Sequence, residues 1–584
     1  MQESSHPTTS DITTLDMLTR PSWFAPLLLA LAAGLSYVFA DRNLPIPDEG
    51  ALLTAAVKVL HGGVFYRDVD AYALPGATYL LVGAMSIFGE HLSVARALAG
   101  SIFCAMTLGV YACALTLVDA KRAALCGLSL LSLKFFAYPI YSTYFYADPS
   151  LAAAILALAI FLRHKFDGAS ARLFWVGIFV GLSIVTKQST GIYVAAVFAL
   201  VLWFPVLAHG PRRQGRRVEE VSAYSAGLLL VIGSMSGYFA SHGLLAEMVH
   251  SALVRPFTGY LGTSNIPFAP ALEWWNFGAL RSEGTVYLAQ HYQELVYTNS
   301  LPGGAALQNL YWTVGELASR VLYGAIPIVF GTCAWLWIRA FREAPSNADT
   351  PQSVLARSRF FIAAGVTLGI TASAFPRADF THIITIYPAV VLILFALCRP
   401  SLLGTGWKGG AEATPGNQMR RLKIEAAFVA LLLMTTTALA VRYDARLTHR
   451  LSMDRADLWV RTEDAWLKPL IEYIQREVPE GEPLFIYGHE AQWYYLSDRY
   501  TPRAFSQLYP GMTGDDTGEK IASLIRKTRP RVIVRGILKW KGVPPVVDYT
   551  RKVKDTIPLL YKDVPQITQL RPHPWVFGVW RLRG

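Results

Sequence analysis

Two adjacent carboxylates, Asp48 and Glu49, follow the first long apolar run of the chain. A carboxylate beside apolar surroundings is partly desolvated, which raises its pKa toward the range of a general base. The alternative is structural. Pro47 and Asp48, followed by an Ala/Leu-rich run that ends at residues 61–63 (His-Gly-Gly), predict a capped helix with a glycine stop.

A third carboxylate, Asp148, precedes Pro149 at the start of another apolar run. Asp at the N-cap with Pro at the first helical position is a strong helix start, so Asp148 also has a structural interpretation. Its interest is positional, because the Tyr-rich segment 144–148 is predicted to lie at the same end of the apolar runs as Asp48. Two carboxylates on neighbouring loops would then face one cavity.

Basic residues occur at two further loops on this side. Lys187 interrupts an apolar stretch, where a lysine either extends to the membrane interface or supplies a point charge for a phosphate. Arg377 and His382 flank Asp379 in another turn. This turn is either an ordinary loop with a salt bridge or a second phosphate-binding group, in which Arg377 supplies a planar fork and His382 a donor.

The composition indicates that a membrane bundle positions these residues. The 584 residues are 53% hydrophobic and 16% charged, whereas soluble proteins carry about 25% charged residues. We therefore predict a mostly α, polytopic membrane protein, and the net charge of +12 is assigned to short loops rather than to nucleic-acid binding. The eleven predicted spans are residues 23–40, 94–118, 122–140, 149–163, 171–186, 188–208, 221–241, 317–340, 359–375, 382–398 and 425–441.

Lysine and arginine concentrate in alternate loops, which the positive-inside rule places in the cytoplasm. The apolar segment 75–89 has only 15 residues, so we predict an interfacial or re-entrant helix rather than a span. Counting it as a span would reverse the predicted membrane side of every later loop. The tail 1–22 is then cytoplasmic, and the outer loops are residues 41–93, 141–148, 242–316 and 375–381. The predicted cytoplasmic basic residues are Lys121, Arg122, Arg163, Lys165, Arg212, Arg213, Arg216, Arg217, Arg342, Arg357, Arg399, Lys408, Arg420, Arg421 and Lys423.

The composition changes after the last span, so the chain divides into a transmembrane domain, residues 23–441, and a small extracytoplasmic α/β domain, residues 442–584. Strands alternating with helices are typical of such a domain. His489 and Glu490 lack the second histidine of a zinc-protease helix, which excludes that site. The strand-like runs are residues 483–488, 531–535 and 575–580, and the helix-like runs are residues 458–477 and 516–528.

The order of these short motifs resembles the GT-C superfamily of integral-membrane glycosyltransferases. More narrowly it is similar to the protein O-mannosyltransferase and lipid A aminoarabinose transferase group, which is family 39-like. The resemblance covers roughly residues 23–400. It rests on four short motifs in this order: Asp-Glu after the first span, a Tyr-Arg-Asp-Val-Asp continuation at 66–70, Asp-Pro at 148–149 and Thr-Lys at 186–187.

The resemblance implies a sugar donor on a polyprenyl phosphate and inverting transfer outside the cytoplasm to an acceptor hydroxyl. By this likeness Asp48 matches the catalytic carboxylate of the first outer loop, Glu49 its neighbour and Asp148 the acidic residue of the second outer loop. We predict these three as the catalytic residues. Lys187 matches a donor-phosphate contact. Arg377 and His382 match only a loose basic position, where some relatives have lysine.

The residues Tyr66, Arg67 and Asp68 continue the loop that begins with Asp48, and we predict that they bind the acceptor or shape the loop. No cofactor is predicted with certainty, and a divalent metal is left open, because some GT-C enzymes use one. The predicted partners are the polyprenyl-phosphate sugar, a lipid, glycan or protein acceptor, and membrane lipids. Nucleic acid is excluded.

The predicted function is therefore a glycosyltransferase of the bacterial inner membrane, with its C-terminal domain in the periplasm. One alternative is a transporter or flippase of a lipid-linked or polar substrate, which would place ionisable groups near mid-membrane. Another is an anchor that presents the C-terminal domain to an envelope partner. The suspected residues cluster at one face, which favours chemistry at an interface.

Overall fold

The computed structural model describes residues 20–164, 170–204, 217–261, 265–282, 286–289, 292, 304–342, 351–398, 415–501, 507–508, 518–537, 545–569 and 576–583. Most of the tail 1–22, parts of the loop 242–316, and the predicted cytoplasmic residues Lys165, Arg212, Arg213, Arg216, Arg399 and Lys408 lie outside these ranges. The helices of the membrane part are α1 (Pro21–Val38), α2 (Pro47–Leu60), α3 (Gly76–Phe88), α4 (Leu92–Leu117), α5 (Ala120–Phe136), α6 (Ala147–Leu162), α7 (Ser170–Thr186), α8 (Gln188–Trp203), α9 (Arg217–Ser241), α10 (Leu245–Val249), α11 (Ala279–Ser282), α12 (Gly304–Arg342), α13 (Pro351–Ala372), α14 (Phe380–Leu397) and α15 (Pro415–Asp444).

Each of the eleven predicted spans coincides with a helix of the described chain. By length and composition, 7 of the described helices are able to cross a membrane: α1, α4, α9, α12, α13, α14 and α15. The helices α3, α6, α7 and α8 are apolar but shorter. The chain is thus a polytopic, mostly α membrane protein, as the sequence predicts.

Close helix packing follows from glycines that face each other on α7 and α9. A Cβ added at Gly177 would lie 2.0 Å from the carbonyl oxygen of Tyr224, and one added at Gly227 would lie 2.1 Å from that of Phe174. Small residues allow two backbones to approach, which increases van der Waals contact between helices in lipid. These glycines therefore fix α7 against α9.

The two ends of the helix α3 contact the α7–α8 junction and the C-terminal domain. At its start, a Cβ on Gly76 would lie 2.5 Å from the carbonyl oxygen of Val185, beside the α7–α8 junction. Just beyond its end, the carbonyl of Glu90 accepts a hydrogen bond from Tyr495 of the C-terminal domain, at 2.5 Å. That this helix is interfacial or re-entrant stays a prediction, which its length of 13 residues supports.

Basic residues of two predicted cytoplasmic loops contact glutamates of other helices. Arg122 in the first turn of α5 donates to Glu425 of α15 at 2.9 Å. His164, just after α6, lies 3.3 Å from Glu220 at the start of α9. Each contact therefore joins two segments that the charge pattern places on the same side, and the side itself stays a prediction.

The C-terminal part combines a hairpin, β1 with β2, and a four-stranded sheet of order β3-β4-β6-β5, in which only the pair β3–β4 is parallel. The predicted helix 458–477 is partly wrong, because its first residues form β2 opposite β1 and the helix begins only at Leu467. The elements are β1 (His449–Met453), β2 (Ala456–Val460), α16 (Leu467–Glu477), β3 (Phe485–Tyr487), α17 (Gln492–Ser497), α18 (Glu519–Thr528), β4 (Val532–Ile537), α19 (Val546–Tyr549), α20 (Arg551–Leu560), β5 (Tyr561–Asp563), α21 (Pro565–Thr568) and β6 (Val576–Leu582).

Candidate functional site

The helix α2 carries Asp48 and Glu49 in its first turn. Pro47 begins the helix, where its missing N–H costs nothing, and Gly62 (φ +92°) follows its end. The residue before the helix, Ile46, provides no side-chain cap. The predicted helix and its glycine stop are confirmed, but Asp48 does not cap the helix, so its carboxylate is left for other contacts.

Glu49 is fully buried and paired with Arg96 of α4. The guanidinium donates two hydrogen bonds to the carboxylate, at 2.7 and 2.8 Å, and the backbone N–H of Tyr144 donates a third at 2.9 Å. Neither the Glu49 nor the Arg96 side chain has exposed area. Glu49 thus joins α2 to α4 and to the Tyr-rich segment, which are the contacts of a residue that positions its neighbours.

Asp48 faces a different group of side chains. Part of its surface remains accessible, and its charged neighbours are His382, Arg377 and Asp379. Burial among protein atoms raises the pKa of the Asp48 carboxyl, and the nearby His382 and Arg377 offset part of that rise. Asp48 therefore lies close to the predicted turn that contains Arg377 and His382.

That turn is organised by Asp379, which caps α14. Its carboxylate accepts hydrogen bonds from the Arg377 guanidinium at 2.6 Å, from the His382 ring at 2.7 Å and from the His382 backbone N–H at 3.0 Å. Burial acts to raise the pKa of Asp379, but His382 and Arg377 outweigh it and hold the pKa below its usual range. The predicted salt bridge is present, and it fixes both basic side chains beside Asp48.

Asp148 lies in the first turn of α6. The N-cap interpretation is wrong, because the helix begins at Ala147 and Asp148 is its second residue. The N-cap residue is Tyr146, whose side chain makes no capping hydrogen bond. The side chain is buried, at 6% exposure. Within the described part of the chain its Oδ1 atom has no hydrogen-bond partner. A buried carboxylate oxygen of this kind is suited to accept a bond from a ligand.

Lys187 stands between α7 and α8 and is 7% exposed. Its ammonium lies 5.9 Å from the centre of the Tyr146 ring, and its acidic neighbours are Asp148 and Asp379. Burial lowers the pKa of Lys187 to about 8, and these two carboxylates offset part of that effect. The structure thus brings Asp48, Asp148, Lys187, Arg377 and His382 to one place.

Sequence reasoning missed Lys134, in the last turn of α5. Its ammonium donates to the carbonyl of Tyr141 at 2.8 Å, lies 4.4 Å from the centre of the Phe103 ring and is a charged neighbour of Asp148. A signal was available, since a lysine inside an apolar run is by default a candidate for function.

The residues Tyr66, Arg67 and Asp68 contact mainly their own loop. The Tyr66 hydroxyl donates to the carbonyl of Ala73 at 3.0 Å, and Asp68 accepts from Arg67 at 3.0 Å and from the backbone N–H of Val64 at 2.7 Å. These contacts fit the loop-shaping alternative better than acceptor binding.

The donor set does not fit a resident divalent cation. Among the described residues there is no group of three His, Cys, Asp or Glu side chains arranged to hold one. Within the described residues Glu49 and Asp379 have ion pairs of their own, which leaves Asp48 and Asp148 as the carboxylates of the site without one. The cationic neighbours Arg377, Lys134 and Lys187 would repel a second positive ion.

No protein-family model and no curated protein sequence matches the chain. Its structure is similar to the apo oligosaccharyltransferase of Archaeoglobus fulgidus, with a TM-score of 0.50 and 14% identity over 88% of this chain and 70% of that one. ArnT from Cupriavidus metallidurans bound to undecaprenyl phosphate gives a TM-score of 0.46 and 14% identity over 96% of this chain and 98% of that one. The Pmt1–Pmt2 protein O-mannosyltransferase of Saccharomyces cerevisiae, bound to its sugar donor, gives a TM-score of 0.31 and 17% identity over 40% of this chain and 35% of that one.

At this level of identity the similarity to the oligosaccharyltransferase concerns the fold. The chain shares the GT-C fold with this oligosaccharyltransferase, which confirms the fold that the sequence resemblance implied.

Proposed function

We propose that this protein is a glycosyltransferase that moves a sugar from a polyprenyl phosphate to an acceptor hydroxyl at the outer face of a bacterial inner membrane. One observation carries the proposal. Asp48 and Asp148 gather with Lys187, Arg377 and His382 at one end of a bundle with the GT-C fold. The acceptor is a glycolipid, an envelope glycan or a protein.

The reaction breaks the bond between the anomeric carbon and the phosphate oxygen of the donor. The acceptor oxygen attacks the anomeric carbon while its proton passes to the Asp48 carboxylate. The bonding electron pair leaves with the phosphate oxygen, and this single displacement inverts the anomeric carbon. A well-placed general base contributes about 10²–10⁴-fold, and a pKa raised toward the working pH improves it as a base.

The departing phosphate gains negative charge, so cations stabilise the transition state more than the ground state. Lys187 supplies a point charge, and Arg377 supplies a planar donor held in place by Asp379. His382, held by the same carboxylate, is a further donor. These three residues are our proposed phosphate contacts.

The remaining acidic residues have different roles in this proposal. Asp148 uses its unpaired buried oxygen, as found within the described residues, to accept a hydrogen bond from a sugar or acceptor hydroxyl. Glu49 positions Asp48 through Arg96 rather than touching substrate. Tyr66 and Asp68 shape the loop that follows α2.

The experiment uses cells that lack the gene. Their membranes are solubilised in detergent, the purified protein is added, and polyprenyl phosphate with and without sugar is measured by mass spectrometry. We expect a sugar-bearing carrier to accumulate in these cells and the added protein to convert it to the sugar-free carrier.

A flippase would leave the lipids unchanged in this assay, because detergent removes the two compartments between which it works. Unchanged lipids would therefore reject the transferase and favour the transporter alternative.

A further inference from the structure

One face of α2 is covered by the C-terminal domain. Residues 47, 50, 54 and 58 follow the spacing of a single stripe on an α-helix, and polar contacts lie along it. The hydroxyl of Thr54 donates to the carbonyl of Ala491 at 2.9 Å, and the ammonium of Lys58 donates to the Thr501 hydroxyl at 3.2 Å. The helix that carries Asp48 is therefore bound along its length by residues far away in the sequence.

Gly50 is the closest approach on this stripe. A Cβ added there would lie 2.4 Å from the backbone N and 2.6 Å from the Cα of Gln492. Contacts below 3.0 Å require a shift, and here the neighbour is backbone rather than a flexible side-chain end. The start of α17 therefore rests directly on the backbone of α2.

The side chain of Gln507 connects the two parts at the start of α2. Its amide donates to the carbonyl of Pro47 at 3.0 Å and to the carbonyl of His489 at 3.1 Å. Gln507 is buried, at 7% exposure. One amide group thus fixes the distance between the first residue of α2 and the segment that leads into α17.

Three consecutive residues of α2 then point in three directions, because each residue turns the helix by about 100°. Pro47 contacts the C-terminal domain, Asp48 faces the Arg377–His382 turn, and Glu49 pairs with Arg96 of α4. The helix cannot rotate about its axis without breaking a contact on one side or the other.

We propose that the C-terminal domain is a positioning element of the candidate active site, in which Gln507 and the α17 start set the direction in which α2 presents Asp48. This inference rests on the proposed function of Asp48, and it gives a role to a domain that the sequence left without one. A purely structural role would hold the domain on the bundle without affecting the carboxylate.

Two substitutions separate these roles. Gln507→Glu keeps the shape but removes the donor, so the carbonyls of Pro47 and His489 lose the hydrogen bond from this side chain and meet a carboxylate. Gly50→Ala forces α2 away from Gln492. The matched controls are Gln475→Glu, which changes a single exposed hydrogen bond in the same domain, and Gly83→Ala on α3, where an added Cβ meets nothing within 4 Å.

Donor turnover is measured with the polyprenyl-phosphate sugar purified from cells that lack the gene, added to their solubilised membranes. Misplacing a reactive group by about 1 Å costs about 100-fold in rate. We expect kcat to fall about 10- to 100-fold in both test variants. The KM for the donor should stay within about two-fold, because Lys187 and Arg377 are not carried by α2. The controls should keep both parameters.

Amide hydrogen exchange of the same variants provides a readout without substrate. We expect faster exchange in peptides from residues 47–60 and unchanged exchange in peptides from residues 92–117. Unchanged exchange in 47–60, or parent-like kcat in both test variants, would overturn the inference. If the parent itself shows no turnover, the proposed function fails, and exchange alone decides whether the domain positions α2.

Discussion

Replacing Glu49 by glutamine tests whether this residue positions Asp48 or takes part in the chemistry. The substitution keeps the shape of the side chain but removes its charge and places an amide donor against the Arg96 guanidinium. Because neither side chain has exposed area, Arg96 becomes a buried, uncompensated charge. Removing one partner of such a pair costs about 3–5 kcal/mol, which lowers the ratio of folded to unfolded protein by at least about 100-fold.

The assay is the free energy of unfolding in mild detergent, followed by tryptophan fluorescence. The control is Glu482→Gln, because Glu482 also accepts two hydrogen bonds from one arginine, Arg531, but the two side chains are 38% and 55% exposed. An exposed pair contributes about 0–1 kcal/mol, so the control should stay near the parent.

A double variant, Glu49→Leu with Arg96→Met, completes the test. It leaves no unpaired charge, so we expect it to recover part of the lost stability, although the backbone N–H of Tyr144 and the carbonyl of Arg42 lose their partners. A Glu49→Gln protein as stable as the parent but without donor turnover would refute the positioning role and restore the catalytic one.

Two further predictions concern the phosphate contacts and the sidedness. Lys187→Met should raise the KM for the polyprenyl-phosphate sugar about 10-fold or more through loss of a cation at the phosphate, whereas an unchanged KM would remove Lys187 from the phosphate site. The sidedness test uses a Cys398→Ser background and an impermeant thiol reagent added outside. Arg67→Cys should react with the reagent, and Arg172→Cys should react only after the membrane is opened, because these exposed positions lie at opposite ends of the bundle. The reverse pattern would invert the proposed topology.

Hydropathy predicted the membrane helices well, because each span must satisfy its own backbone hydrogen bonds and its length follows from the bilayer. Charge in the loops predicted which segments share an end. This is why Asp48, Asp148, Lys187 and Arg377, which are scattered over more than half of the chain, were recognised as one group. Short segments were less predictable, since the strand β2 overlaps the start of the predicted helix 458–477.

The contacts that decide the role of each residue were not predictable from local sequence. Asp48 and Glu49 are adjacent and chemically alike, yet tertiary packing pairs only Glu49 with Arg96, 47 positions away. Gln507 reaches Pro47 across 460 positions. Patterns along the chain identify which groups lie near an interface, whereas the face of a helix that each group occupies is set by packing.

The most direct test of the account is donor turnover by Asp48→Asn in solubilised membranes of cells that lack the gene. The asparagine preserves size but accepts no proton, so we predict a loss of about 10²–10⁴-fold with an unchanged unfolding midpoint. Turnover by the parent should also fall as the pH is lowered through the pKa of Asp48, which burial raises, because the protonated carboxyl is no longer a base. Turnover by Asp48→Asn equal to that of the parent would show that Asp48 is not the general base.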